Sequence, residues 1–209
     1  TCALPIWGRD SQSWTGDFTS HPLQGFVRHL VGVQIERVKS DTDVVLSQRL
    51  RVGRTQDTPR IERLQFAEYL RSRQSDALSV STASALSANM HWVWRDLDSA
   101  LLPTKGVALS LQTALGQATS GGGADGPFGR VYGRLTAYRP LGARWHAQAR
   151  LEAGQVVKQA VVAVPDALGF RAGGDDSVRG YAYRSLAPEL NGVAVGGTTL
   201  LTASVQIAR

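Results

Sequence analysis

At 209 residues with a formal net charge of +6, the chain is long enough for a single all-β domain, sandwich or barrel. A sequence pI of about 10.0 raises nucleic acid as a partner, but Lys39, Lys105 and Lys158 are the only lysines and the arginines stand singly along the chain, so no nucleic-acid interface is expected. One cysteine, Cys2, excludes a disulfide framework, and no apolar run reaches the ~18 residues of a spanning helix, which leaves open a β-barrel whose strands need only about 9–11.

In chain order, residues 1–7 are set aside, because Ala3-Leu4-Pro5-Ile6 is also what one frame of a common sequencing adapter encodes and a non-native leader is expected there. Residues 8–209 are expected to form one domain. Its first strand is read at 26–38, where Val31, Val33 and Ile35 alternate with Gln34 and Glu36. Strands at 43–53 and 61–71 follow. Leu64, Ala67, Glu68 and Arg71 in the second of these also fit a helical period, and the strand reading rests on its neighbours. Further strands are read at 84–95, at 106–115 (Val107, Leu109, Leu111 and Thr113 against Ala108, Ser110 and Gln112), and at 130–138. In 145–153, Trp145, Ala147, Ala149, Leu151 and Ala153 alternate without exception with His146, Gln148, Arg150 and Glu152, and in 200–208 Leu201, Ala203, Val205 and Ile207 alternate with Thr202, Ser204 and Gln206. The residues from Tyr138 to Arg144 read as a tight turn, Gly116 to Gly129 as a long glycine-rich loop and 154–199 as a longer one, the rim asymmetry of an outer-membrane barrel. Arginine along one face of such strands suits a hydrated lumen, where it can pair with Glu across the wall. Trp92, Trp94, Trp145, Tyr132 and Tyr138 lie toward strand ends, where they would form interfacial girdles in a barrel or ordinary core aromatics in a soluble domain.

Motifs for chemistry are weak. Gly121-Gly122-Gly123-Ala124-Asp125-Gly126 matches a dinucleotide fingerprint literally, but Pro127 and an alternating segment follow where the fingerprint needs a helix. Asp96 and Asp98 read as turn residues that cap backbone amides, and His91 and His146 stand singly in strands, so no metal site is expected. No nucleophile elbow, Cys/His couple or spaced carboxylate pair is present, and no catalytic residue or cofactor is assigned.

The stretch Phe170-Arg171-Ala172-Gly173-Gly174-Asp175-Asp176-Ser177-Val178-Arg179-Gly180-Tyr181, continued by Ser185-Leu186-Ala187-Pro188 and Gly196-Gly197, carries the most information. Its order of Gly-Gly-Asp, Val-Arg-Gly-Tyr, Ser-Leu-x-Pro and Gly-Gly resembles the lid-loop signature of the outer-membrane protein assembly superfamily (BamA/TamA type), closest to the TamA, or translocation and assembly module, branch. The Trp92-Val93-Trp94-Arg95-Asp96 strand end and the Pro103-Thr104-Lys105-Gly106 step look like the same family. The doubled Asp175-Asp176 and Ala187, where Gly is more usual, depart from the branch pattern.

The resemblance implies an antiparallel transmembrane β-barrel wall, about eight strands of a sixteen-stranded barrel, in the bacterial outer membrane. It implies a lid loop, 154–199, folded into the lumen with Gly173, Gly174, Asp175, Val178, Arg179, Gly180 and Tyr181 as its motif, and Arg179 reaching a carboxylate on a strand beyond Arg209. The implied role is non-enzymatic: insertion or translocation of β-rich client proteins such as autotransporters, among outer-membrane lipids and with a TamB-like periplasmic partner. A two-partner secretion transporter of the same superfamily is the nearest alternative. A soluble β-sandwich binding module is the alternative of a different class, and a porin is disfavoured by the lid motif.

Overall fold

The computed structural model describes residues 6–7, 11–39, 43–76, 80–99, 101–142, 144–174, 177–181, 185–190 and 193–209. Nearly all the long strands follow from period-two stretches that present one apolar and one polar face. They are β2 (Ser11–Thr19), β3 (Val27–Lys39), β4 (Asp43–Asp57), β5 (Ile61–Asp76), β6 (Val80–Leu97), β7 (Gly106–Ser120), β8 (Gly126–Pro140), β9 (His146–Lys158) and β12 (Thr199–Ala208). With the two-residue β1 (Ile6–Trp7) they form a single antiparallel sheet in the order β1-β2-β3-β4-β5-β6-β7-β8-β9-β12. All eight strands read from the sequence are present, and 61–71 is extended as expected. β2 was missed, and β1 pairs Ile6 with Ser13 and Trp7 with Gln12, inside the stretch set aside as a leader. The loop after β9 carries a second, two-stranded sheet of β10 (Glu189–Leu190) and β11 (Val193–Ala194).

Two expectations about connections are corrected. The glycine-rich segment 116–129 is no long loop: β7 and β8 stay paired out to Ala118↔Gly126, leaving 121–125 as the connection. Small residues such as Gly116 and Ala118 let the inner face stay paired while Phe128 packs over them; a Cβ at Gly116 would lie 2.9 Å from the Phe128 ring. Strand β9 likewise runs to Lys158, so the lid proper begins after it. The rim on which the lid lies therefore owes its length to one connection.

Register assigns every strand residue to a face, because directly opposed residues point the same way. Glu68 faces Arg51 on β4 and Ser87 on β6, and Leu70 faces Ala85. These buried positions define the inner face. The opposite face is apolar and open: Trp14, Val31, Ile35, Leu50, Val52, Leu86, Met90, Trp94, Leu111, Leu115, Val131, Leu135, Leu151, Val205 and Ile207 are all exposed on it. No second sheet covers that face among the described residues, so the soluble sandwich, which needs its apolar face against another sheet, is set aside. Apolar residues outward and charged residues inward is the arrangement of a wall between lipid and water. Trp92 and Trp94 lie on the outward face, as a girdle requires, but Tyr132 and Tyr138 do not. They share parity with Arg130 and Arg134 and point inward, a correction that follows from the period of two.

Candidate functional site: an ion-paired wall and a rooted lid

The inner face carries carboxylates flanked by guanidinium groups. On β5, Glu68 is buried and accepts a hydrogen bond from Arg51 Nε at 2.6 Å, with Arg49 Nε 3.7 Å away. On β9, Glu152 is 3% exposed and sits between Arg134 and Arg150, whose Nε atoms lie 3.1 and 3.6 Å from Oε1. Tyr132 donates its hydroxyl to Glu152 Oε2 at 3.0 Å and accepts from Arg134 Nε at 3.1 Å. Farther along, Arg95 pairs with Glu62, and Asp57 lies 3.9 Å from it. Each carboxylate neutralises part of a locally cationic strand, which makes a charged wall tolerable where water is scarce. Pairing of wall Arg with Glu matches the sequence expectation.

The lid packs onto this wall at its root. Val162 and Leu168 are buried against Leu70, Ala85, Ala118 and Phe128, with Val164 beside them. Val162 fits because Gly126 lacks a side chain: a Cβ there would lie 2.4 Å from Val162 Cγ2. Lys158 Nζ donates to the Val162 carbonyl at 2.6 Å and ties the end of β9 to the lid. Phe170 is 5% exposed and packs with Tyr132, Val156 and Leu200. Its ring lies 6.1 Å from that of Tyr132, and the Arg130 guanidinium stands 4.5 Å from its centroid, a cation–π geometry. Arg130 Nε also donates to the Leu168 carbonyl at 3.1 Å. Beneath the ring is Gly154, where a Cβ would sit 2.5 Å from Phe170 Cζ. Between wall and lid remains an open-sided cleft of about 290 Å³ lined by Arg49, Arg51, Glu68, His91, Arg130 and Leu168.

Beyond the root the lid is a hairpin. Phe170 and Gly197 exchange two backbone hydrogen bonds of 2.8 Å, and so do Ala172 and Leu186. Asp166 accepts from Arg171 Nη2 at 2.6 Å and from the Gly196 amide. Of the motif read from the sequence, Gly173 and Gly174 turn the chain with φ of 113° and 95°, a region that glycine alone enters without strain, which accounts for the pair. The Gly173 amide donates to Ser177 Oγ at 2.7 Å and the Gly174 amide to the Tyr181 carbonyl at 3.1 Å, so the two halves of the motif meet. Val178 is half-buried, whereas Arg179, Gly180 and Tyr181 are exposed at the tip. Asp175 lies outside the described residues. Sequence reasoning placed the anchor at Arg179 and missed Phe170, Arg130, Gly154 and Val162; the one signal for them was Phe170 at the head of the motif and Gly154 where the small-polar alternation of β9 breaks.

No group of three or more His, Cys, Asp or Glu side chains converges on a metal position among the described residues. His91 Nε2 lies 2.9 Å from Ser110 Oγ, an ordinary inner-wall hydrogen bond. In the turn after β6, Asp98 accepts from the Ser99, Thr104 and Lys105 amides at 3.0 to 3.1 Å and from the Thr104 hydroxyl at 2.5 Å. The Thr104 hydroxyl first, and the Lys105 amide next, lower its pKa to about 2. This is the capping role that the turn residues suggested.

One sheet with an apolar outer face, an ion-paired inner face and a lid rooted on the inside is the wall of an outer-membrane β-barrel. The match to known families is to the Omp85 superfamily domain, over residues 19–208, and the chain belongs to that superfamily. Its fold is similar to that of BamA from Haemophilus ducreyi lacking POTRA domains 1–3, with a TM-score of 0.74 and 15% identity over 95% of this chain and 45% of that one. The chain thus spans less than half the length of that structure.

Proposed function

We propose that the protein containing this chain inserts or translocates β-rich outer-membrane clients, as a non-enzymatic assembly factor of the TamA type with autotransporters among its clients and a TamB-like periplasmic partner. The observation that carries this reading is the lid, folded onto the inner face through Phe170 and Leu168 in a chain of the Omp85 superfamily. A lid rooted in the lumen stiffens the wall while leaving a strand edge elsewhere to open and pair with a client strand, the strand-addition mode of recognition. In this reading Arg179 reaches from the tip to a carboxylate on a strand that this chain does not include, and Gly173, Gly174, Asp175, Val178, Gly180 and Tyr181 shape that tip. A guanidinium in a partly dehydrated lumen favours a bidentate carboxylate partner.

The test is reconstitution of the full-length protein in liposomes with an unfolded autotransporter barrel. Faster appearance of protease-resistant, membrane-inserted client than in empty liposomes is expected, and equal rates contradict the reading. Pull-down of a TamB-like protein from envelope extracts tests the partner separately.

A further inference from the structure

The arginines that stand singly in sequence do not all stand singly on the outer surface. Arg37 on β3 and Arg73 on β5 both oppose Leu46 of the intervening β4, on the outward face. Arg71 lies two residues from Arg73 on the same face, and Lys39 two residues from Arg37. Strands about 4.8 Å apart and a rise of about 3.3 Å per residue place these four cations within a patch roughly 10 Å across the strands and about 13 Å along them. All four are exposed.

Among the described residues, the side chains that oppose them across the ladders are neutral. Gln12 opposes Arg37, Gln48 and Ser84 flank Arg71, and Thr82 opposes Arg73. No Asp or Glu occupies an outward position on β3, β4 or β5. The patch lies toward the rim that carries the lid, where the exposed band of Ile35, Leu50 and Tyr69 ends. Toward the same rim, the outward positions of β7, β8 and β9 hold Gln117, Thr119, Pro127, Gly129, Gln155 and Val157, none of them charged. At the opposite rim His29 on β3 directly opposes Arg54 on β4, and Arg63 on β5 lies two residues from Gln65, the partner of Arg54, whereas Arg139 on β8 stands apart from these three. Isolated interfacial cations are tolerated anywhere at a membrane boundary. Four on two strands, across one apolar residue and with hydrogen-bonding neutral neighbours, is a concentration of guanidinium donors facing the headgroup layer.

We propose that Arg37, Lys39, Arg71 and Arg73 form a binding site for the phosphate groups of a phosphorylated lipid headgroup at the lid rim. Guanidinium pairs suit phosphate because each presents two parallel N–H donors to it, and a patch of this span suits a headgroup with more than one phosphate. The apolar band directly below receives the acyl chains, which distinguishes a lipid from a free anion.

The experiment measures retention of lipid A, a bisphosphorylated lipid, by the full-length protein in phosphatidylcholine nanodiscs. Each cation near a membrane surface contributes about fivefold, so the Arg37→Gln, Lys39→Gln, Arg71→Gln, Arg73→Gln variant is expected to weaken retention by about 100-fold or more. The Arg139→Gln variant at the opposite rim is expected to stay within about twofold of wild type, since no other outward cation stands beside it on β7, β8 or β9 to complete a phosphate site. Equal loss in both variants, no enrichment by wild type, or displacement of lipid A by an equal concentration of inorganic pyrophosphate overturns the proposal. If the quadruple variant loses the heat-modifiable migration of a folded barrel, Arg71→Gln and Arg73→Gln are measured singly; about fivefold weakening in each supports the site and no change in either overturns it.

Discussion

The two ends of the lid behave differently. At the root, Val162, Leu168 and Phe170 are buried against the inner wall, and two glycines of the wall, Gly126 and Gly154, are shaped to receive them. At the tip, Arg179 and Tyr181 are exposed, and the Tyr181 carbonyl accepts from the Gly174 amide within the lid itself. A recognisable motif and a packed anchor are thus separate parts of one loop. The root secures the lid to this part of the wall by burial, and the tip is free to engage what the rest of a barrel supplies.

The largest effect expected from breaking this contrast is at Phe170. Phe170→Ala removes the ring from between Tyr132, Val156 and Arg130, and loss of a buried Phe costs about 3 kcal/mol. In the full-length protein the root should become protease-sensitive and the temperature at which gel migration shifts should fall, with the tip unaffected. Glu152→Gln comes next. It leaves Arg134 and Arg150 facing a neutral group, and a cost of about 2 kcal/mol is expected from the mismatched charge-assisted bonds. Its signature is a lower transition temperature with the lid root still protected.

Arg179→Ala should change global stability by less than about 0.5 kcal/mol as seen from this wall, as for most exposed substitutions. Cleavage at the tip should nonetheless rise if Arg179 meets a carboxylate elsewhere in the barrel; unchanged tip cleavage counts against that pairing. Smallest is the Asp98 turn. Its folded pKa, about 2, lies below the unfolded carboxylate value, so its contribution is fully present above the unfolded value and is lost as pH falls toward 2. The protection of the Thr104 and Lys105 amides, relative to their intrinsic exchange at each pH, should fall over that window, and in Asp98→Asn that protection should not change across it.

Much of this was legible in the sequence because a wall between lipid and water imposes a period of two on each strand. The faces of 146–153 and 200–208 were right residue by residue, with Arg150 and Glu152 inward, while Trp145 lies just before the strand. β2 was illegible because its outward face is Gln12, Trp14, Gly16 and Phe18, with only two apolar side chains, too sparse to read as alternation. Tyr132 was misassigned although its parity with Arg130 and Arg134 was visible; position near a strand end was given more weight than face. The packing of the lid root could not be derived from the sequence. Phe170 over Gly154 is a contact between a loop and a strand that no spacing rule joins, and the Arg37–Arg73 juxtaposition depends on the register of β4 between them.

The central claim, a lid rooted on the inner wall through Phe170, is tested most directly by hydrogen exchange of 159–198 in the full-length protein in nanodiscs, wild type against Gly154→Leu. A side chain at Gly154 occupies the seat of the Phe170 ring. The account predicts that in wild type the amides of Phe170, Ala172 and Gly197 exchange far more slowly than those of Arg179 and Gly180. In the variant that difference should collapse while β8 stays protected. Uniform exchange along the loop in wild type, or a root unaffected by Gly154→Leu, would contradict it.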